Sequence, residues 1–245
     1  MKIRPTVPPD LTPEVVYLKG MFKLWSHEIA YYSCIIPFDF AGKNFALVED
    51  IPEADRMEWS LSELFQRDIA WDRVNNEILQ YLRNEARPQF FNALTVALLP
   101  MEGRSFAPEY HSDTEYNAMD DEGLEQPATQ IGGIQLQPYA DSGGAAGKLR
   151  WDKKKILPVA VDGQHRLAAI KRFLDKTSAS SAEESTVPVI FIIPNSRAGF
   201  EGPSFEEDSP ISSLRQIFID LNKNARPVSR ARNILLDDQD IVSVC

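Results

Sequence analysis

The sequence predicts an α+β fold: a mixed sheet flanked by helices and interrupted by one long insertion. Three observations predict it. Strand-like apolar clusters occupy the first forty residues, helical spacing takes over near residue 72, and a strand, a tight turn, a helix and a strand follow one another between 156 and 193. At 245 residues the chain is long enough for one large domain or two small ones.

The elements follow in order. Residues 1–14 read as an extended, proline-rich arm. Val15 to Leu24 and Glu28 to Phe38 read as strands, the second resting on Tyr31, Tyr32, Cys34, Ile35 and Ile36 and stopped by Pro37. Ser60 with Glu63 three positions on makes a capping box that opens a helix. From Asp72 to Arg83, helical spacing puts Val74, Ile78, Leu79 and Leu82 on one face, and Arg87-Pro88 ends that pattern. Phe90 to Leu99 reads as a buried strand closed by Pro100. Residues 102–148, rich in Gly, Ser, Asp and Glu with short apolar islands such as Ile131 to Leu136, read as a long flexible insertion with room for one hairpin. Ile156 to Val161 is a short buried strand, Asp162-Gly163 a turn, and Gln164 to Leu174 a helix with Leu167, Ile170 and Leu174 inward. Val187 to Ile193 is a strand, Ile211 to Leu221 a helix, and Pro227 starts a last helix. The strand–helix–strand order at 156–193 implies a βαβ unit with parallel pairing. Three parts result: 1–101 as the first part of the core, 102–148 as insertion, and 149–245 as the second part. The apolar end Ile241 to Cys245 reads as a C-terminal truncation or a docked strand.

Composition narrows the classes of function. Hydrophobic residues at 43% and charged residues at 25% fit an ordinary globular protein, and no apolar run approaches the roughly 20 residues needed to cross a bilayer. The first residues lack the apolar core of a signal peptide, and two cysteines, Cys34 and Cys245, make no disulfide framework, so a cytoplasmic location is the default expectation. A net charge of −10 argues against indiscriminate adhesion to nucleic acid or membrane. The cations are nevertheless clustered, at Arg150, Lys153, Lys154 and Lys155 and again from Arg215 to Arg232. Each cluster is either a solvated surface or a local anion contact. His27 and His111 show no ligand spacing, so no metal site is expected. Neither a Walker-type phosphate loop nor a Gly-x-Ser-x-Gly elbow occurs.

The segment Asp162-Gly163-Gln164-His165-Arg166 carries the functional argument. A helix beginning after a glycine turn presents unpaired N–H groups and the positive end of its dipole, and Gly163 lets backbone approach a ligand closely. Gln164 opens that helix. Arg166 suits a bidentate phosphate contact, and His165 titrates near neutrality and can donate, accept or shuttle a proton. Asp162 can cap the helix or face a water or a metal-bound phosphate. Asp162 and His165 are therefore the candidate catalytic pair, and Gly163, Gln164 and Arg166 the candidate phosphate contacts.

Val161 to Leu167 also resembles the name-giving signature of the DGQHR-domain family of the DndB type, which accompanies DNA phosphorothioation systems. Related members accompany deazaguanine DNA modification. The resemblance extends to Gln66-Arg67, to Phe90-Phe91 and to the run from Phe218 to Ser229, and so covers most of the chain outside 102–148. It implies a core similar to ParB N-terminal domains and sulfiredoxin, in which the matching strand, loop and helix hold nucleotide phosphates. It adds Gln66, Arg67, Asn222 and Lys223 to the candidate pocket, each of which also has a plain capping role open to it. Gln164 stands where sulfiredoxin has its reactive cysteine, so that enzyme's redox chemistry is not expected. The resemblance implies a DNA-binding regulator or accessory of a DNA-modification system, with Lys153, Lys154, Arg226 and Arg230 on DNA and other proteins of the system as partners. Self-association stays open, and no membrane is expected. The alternative is a nucleotide-binding NTP phosphohydrolase using the same loop, with Mg²⁺ arriving on the nucleotide.

Overall fold

A computed structural model describes residues 10–24, 27–51, 69–86, 88–111, 114–119, 123, 125–176 and 184–201. The expected capping-box helix, Gln66, Arg67, the two helices after residue 210, Asn222, Lys223, Arg226 and Arg230 lie outside the described residues.

Strands β1 (Val15–Leu24) and β2 (His27–Pro37) pair antiparallel. Along β2, Ala30, Tyr32, Cys34 and Ile36 are buried while Ile35 is 65% exposed, the alternation of a sheet with one covered face. Pro37 ends β2 and sits at the N-cap of a helix that the sequence reading had not assigned, α1 (Phe38–Asn44). Seven residues with only Phe38 and Ala41 buried give too little period to detect. Consecutive helical turns Trp71–Arg73, Val74–Ile78 and Leu79–Leu82, here together α2, place Val74 and Leu79 inward as expected. The middle turn is wide, with i→i+5 geometry.

Strand β3 (Leu94–Glu102) begins four residues later than expected and runs through Pro100 instead of stopping there. Pro100 lies opposite Ile156 and its carbonyl accepts from the Ala107 N–H at 2.9 Å. Its missing N–H faces the side of short β4 (Ser105–Phe106), so no bond to the long neighbouring strand is lost. Residues 102–148 hold more than one hairpin: β4, then β5 (Thr114–Met119), β6 (Glu125–Ile131) and β7 (Ile134–Pro138), with β8 (Ala146–Trp151) completing an antiparallel meander that joins β1. β9 (Ile156–Asp162), α3 (Gln164–Lys176), β10 (Thr186–Ile192) and β11 (Phe200–Glu201) complete the described elements.

The sheet runs in the order β4-β3-β10-β2-β1-β8-β7-β6-β5, with β9 on the other side of β3 and β11 beside β2. The expected βαβ unit is corrected here. β9 is antiparallel to β3 and β10 parallel to it, so β9 and β10 run in opposite directions and the parallel pair is β3–β10. The order of elements was read correctly, but order does not fix direction.

Helices α1, α2 and α3 cover one face of the sheet. There Leu167, Ala168, Ala169 and Ile170 of α3 are completely buried, and Trp151 makes edge-on contacts with Phe40 at 5.8 Å and Phe191 at 5.6 Å. On the opposite face Ala97, Leu99, Val159, Val161 and Ile192 form a second cluster with Ala46, Ile51 and Phe200. β3 and β9 are thus buried on both faces, which explains their nearly continuous apolar runs. No helix among the described residues is long and apolar enough to cross a membrane.

Candidate functional site

The Asp162–Arg166 turn sits where β9 leaves the sheet and α3 begins. Gly163 adopts φ +85°, a left-handed conformation that disfavours a side chain. A Cβ at that position would stand 2.6 Å from Leu94 Cδ2 and 3.0 Å from Arg166 Nη2, so space as well as torsion demands glycine. The Leu167 N–H closes the first helical turn on the Gly163 carbonyl at 2.9 Å.

A cleft of about 480 Å³ opens at this turn. Three segments far apart in sequence build it: α2, through Arg73, Glu77, Ile78 and Tyr81; the approach to β3, through Phe90, Phe91 and Asn92; and the turn itself, through Asp162, Gly163, His165 and Arg166. The structure therefore brings together four of the five signature residues. Gln164, half-buried, opens α3 beside them.

Arg166 is largely committed to its own chain. Its Nη1 donates to the carbonyls of Asn92 at 2.6 Å and Ala93 at 2.9 Å, and its Nη2 donates to Asp162 Oδ2 at 3.0 Å. The fork ties the turn to the segment entering β3, where those carbonyls precede the first ladder bonds. These bonds take up part of the guanidinium expected to grip phosphate, and Arg166 also lines the cleft. Asp162 is half exposed, with one oxygen on Arg166. His165 Nε2 accepts from the Ala70 N–H at 3.0 Å, which gives a neutral imidazole with its proton on Nδ1. His165 thus ties α3 to the start of α2. Arg172, two turns further along α3, stacks its guanidinium over Trp71 at 4.7 Å and strengthens the same junction.

Sequence reasoning missed the α2 side of the cleft. Arg73 and Glu77 pair at 3.5 Å across one turn, and Tyr81 supports Phe90 through a hydroxyl that accepts the Phe90 N–H at 2.7 Å. The doubled phenylalanine at 90–91 was the one available signal. Lys153 and Lys154 are exposed, on the β8–β9 turn, at the opposite end of β9 from the cleft. Buried Asp152 holds that turn by accepting from the Lys154 N–H at 2.9 Å. Their neighbour Arg150 is engaged with Gln135 at 2.7 Å and Glu14 at 3.5 Å. Among the described residues no three His, Cys, Asp or Glu side chains gather as metal ligands.

Residues 23–244 match the model of the DndB family, described as DNA-sulfur modification-associated. No curated protein and no solved structure matches the chain.

Proposed function

The chain belongs to the DndB family of DNA-sulfur modification-associated proteins, and on that premise we propose that it is a DNA-binding regulator or accessory of a phosphorothioation-type system whose β9–α3 cleft takes up a phosphate-bearing ligand. One observation carries the reading. Three segments separated by up to 95 residues converge on a turn that only glycine fits, so the chain invests long-range contacts in shaping an open cleft. The ligand's negative oxygens would meet the first-turn amides of α3 and the adjoining guanidinium. A ParB-like core, which the family resemblance implies, offers a precedent for joining nucleotide and DNA binding in one module.

DNA would be met elsewhere, at Lys153 and Lys154, with Arg226 and Arg230 as further contacts. Because the lysine turn and the cleft occupy opposite ends of β9, both ligands can be held at once. A mobility-shift titration on the promoter of the protein's own operon tests this. Specific binding that weakens steeply with salt is expected, and the Lys153→Ala/Lys154→Ala variant should reduce the logarithmic salt slope by about two. Absence of binding at low salt would remove the DNA-binding role.

A second reading, NTP hydrolysis, is favoured by the Asp162 carboxylate and the neutral His165 imidazole lining the same cleft. Asp162 would then orient the attacking water beside His165. Asp162→Asn should abolish phosphate release while leaving nucleotide affinity intact. Unchanged turnover in that variant excludes the mechanism.

A further inference from the structure

We infer that Tyr81 and Phe90 form a seat for the planar ring of a nucleobase, so that the cleft takes a base together with its phosphate rather than phosphate alone. The inference rests on the cleft reading above and names the ligand's other half. Phe38, Phe91 and Tyr81 form a column of near-parallel rings, with centroids 6.5 and 6.0 Å apart and interplanar angles of 19° and 26°. The column ends at Tyr81, which lines the cleft and is 41% exposed. Another flat ring continues such a column at little cost, since offset stacking is favourable and tolerant of ring type.

Phe90 lies beside it and is 74% exposed. A single exposed phenylalanine is ordinary; one whose backbone is fastened at both polar groups is not. The Tyr81 hydroxyl accepts the Phe90 N–H at 2.7 Å and donates to the Phe90 carbonyl at 3.3 Å. Gln89 and Ala86 are in turn bonded to Asn84, through its carbonyl and its side-chain oxygen respectively. The ledge therefore holds the Phe90 backbone in place and leaves its ring exposed to water. Phe90 and Phe91 also wall a second, more apolar pocket of about 200 Å³ with Phe38 and Phe173, comparable to the roughly 150 Å³ cavity that accommodates one benzene ring.

The polar part of the lining decides between a base and a purely apolar occupant. It carries Arg73, Glu77, Asp162 and His165, and an apolar ligand filling the cleft would strip water from these groups without replacing their hydrogen bonds. A heteroaromatic ring with edge donors and acceptors, attached to phosphate, satisfies both the aromatic rings and the polar groups. The base can belong to a free nucleotide or to an unpaired position in a DNA strand.

The test is equilibrium binding of the full chain, by calorimetry, to four probes: dATP, deoxyadenosine, inorganic tripolyphosphate and a short single-stranded oligonucleotide. Each is measured on wild type, Phe90→Ala and Phe90→Trp. Loss of about tenfold or more in affinity for dATP or the oligonucleotide in Phe90→Ala is expected, with tripolyphosphate binding unchanged and Phe90→Trp restoring it. Preference for dATP or for the oligonucleotide identifies the source of the base. Equal dATP and oligonucleotide affinity in wild type and Phe90→Ala overturns the seat but leaves the phosphate cleft standing. Parallel loss of tripolyphosphate binding overturns it as well, because Phe90 is then only structural. Deoxyadenosine bound without tripolyphosphate keeps the seat and removes the phosphate reading; no binding of any probe removes both.

Discussion

At the residue scale, Arg166 and Asp162 have separable roles. Arg166 satisfies two backbone carbonyls and one carboxylate with a planar fork, whereas lysine offers one point charge and cannot bridge three acceptors in those directions. The carbonyls of Asn92 and Ala93 then turn to water or go unpaired. Arg166→Lys should therefore lower unfolding free energy by about 1–2 kcal/mol in a denaturant titration. Asp162→Asn removes only the charge of a half-exposed ion pair and should cost less than about 1 kcal/mol. The reverse ranking would mean that the ion pair, not the backbone clamp, holds the turn. This ordering also tells a chemical effect at Asp162 from a folding effect: lost turnover with unchanged stability belongs to chemistry.

At the element scale, the meander β5–β8 is anchored to the rest of the sheet through β8 and β1. Gly147 of β8 lies opposite Tyr17 of β1 and Pro138 of β7, and an added Cβ would stand 2.6 Å from Tyr17 Oη and 2.7 Å from Pro138 Cα. The Pro138 contact is backbone and cannot swing away. Gly147→Ala should destabilise the protein by about 1–3 kcal/mol, measured by thermal or chemical unfolding. A neutral result would require β7 and β8 to separate without loss. The same elements show what the sequence could and could not disclose. β2 and α3 were legible because Tyr32, Cys34 and Ile36, or Leu167 and Ile170, repeat at the period of their element, and β9 and β10 because each is a short apolar run. β5 was not, since all six of its residues are exposed or only half-buried and carry no apolar alternation. The turn at 162–163 was visible from Asp-Gly alone. The rest of the site was hidden because its contacts are remote: Arg166 meets Asn92 across 74 residues and His165 meets Ala70 across 95. No local pattern encodes such pairs.

At the scale of the whole molecule, the core contains protons that the folded state holds tightly. Tyr17, Tyr32 and Cys34 lie together on the helix-facing side of β1 and β2; the two rings meet edge-on at 5.1 Å, and Tyr17 stands opposite Cys34 in register. Burial pushes the Tyr17 phenol from 10 up to about 12, with Cys34 and Tyr139 adding repulsion, and burial alone pushes the Cys34 thiol from 9 up to about 12. Tyr32 moves in the same direction, from burial and then from Tyr17. In each case the neutral form is the one that the fold accepts. Below about pH 9 these groups are protonated whether the chain is folded or not, and their contribution is fully present. As pH rises through 9 and 10 the unfolded chain releases protons that the folded chain keeps, so stability falls progressively until about pH 12. Denaturant midpoints measured from pH 8 to pH 11 should therefore decline, and Tyr17→Phe should flatten the part of the decline above pH 10. A native protein whose phenols ionise at their ordinary pH, or whose Cys34 is alkylated at the rate of a free thiol, would contradict the buried cluster. That outcome would also undermine the sheet face on which α1 and α3 rest, and with it the positioning of the cleft.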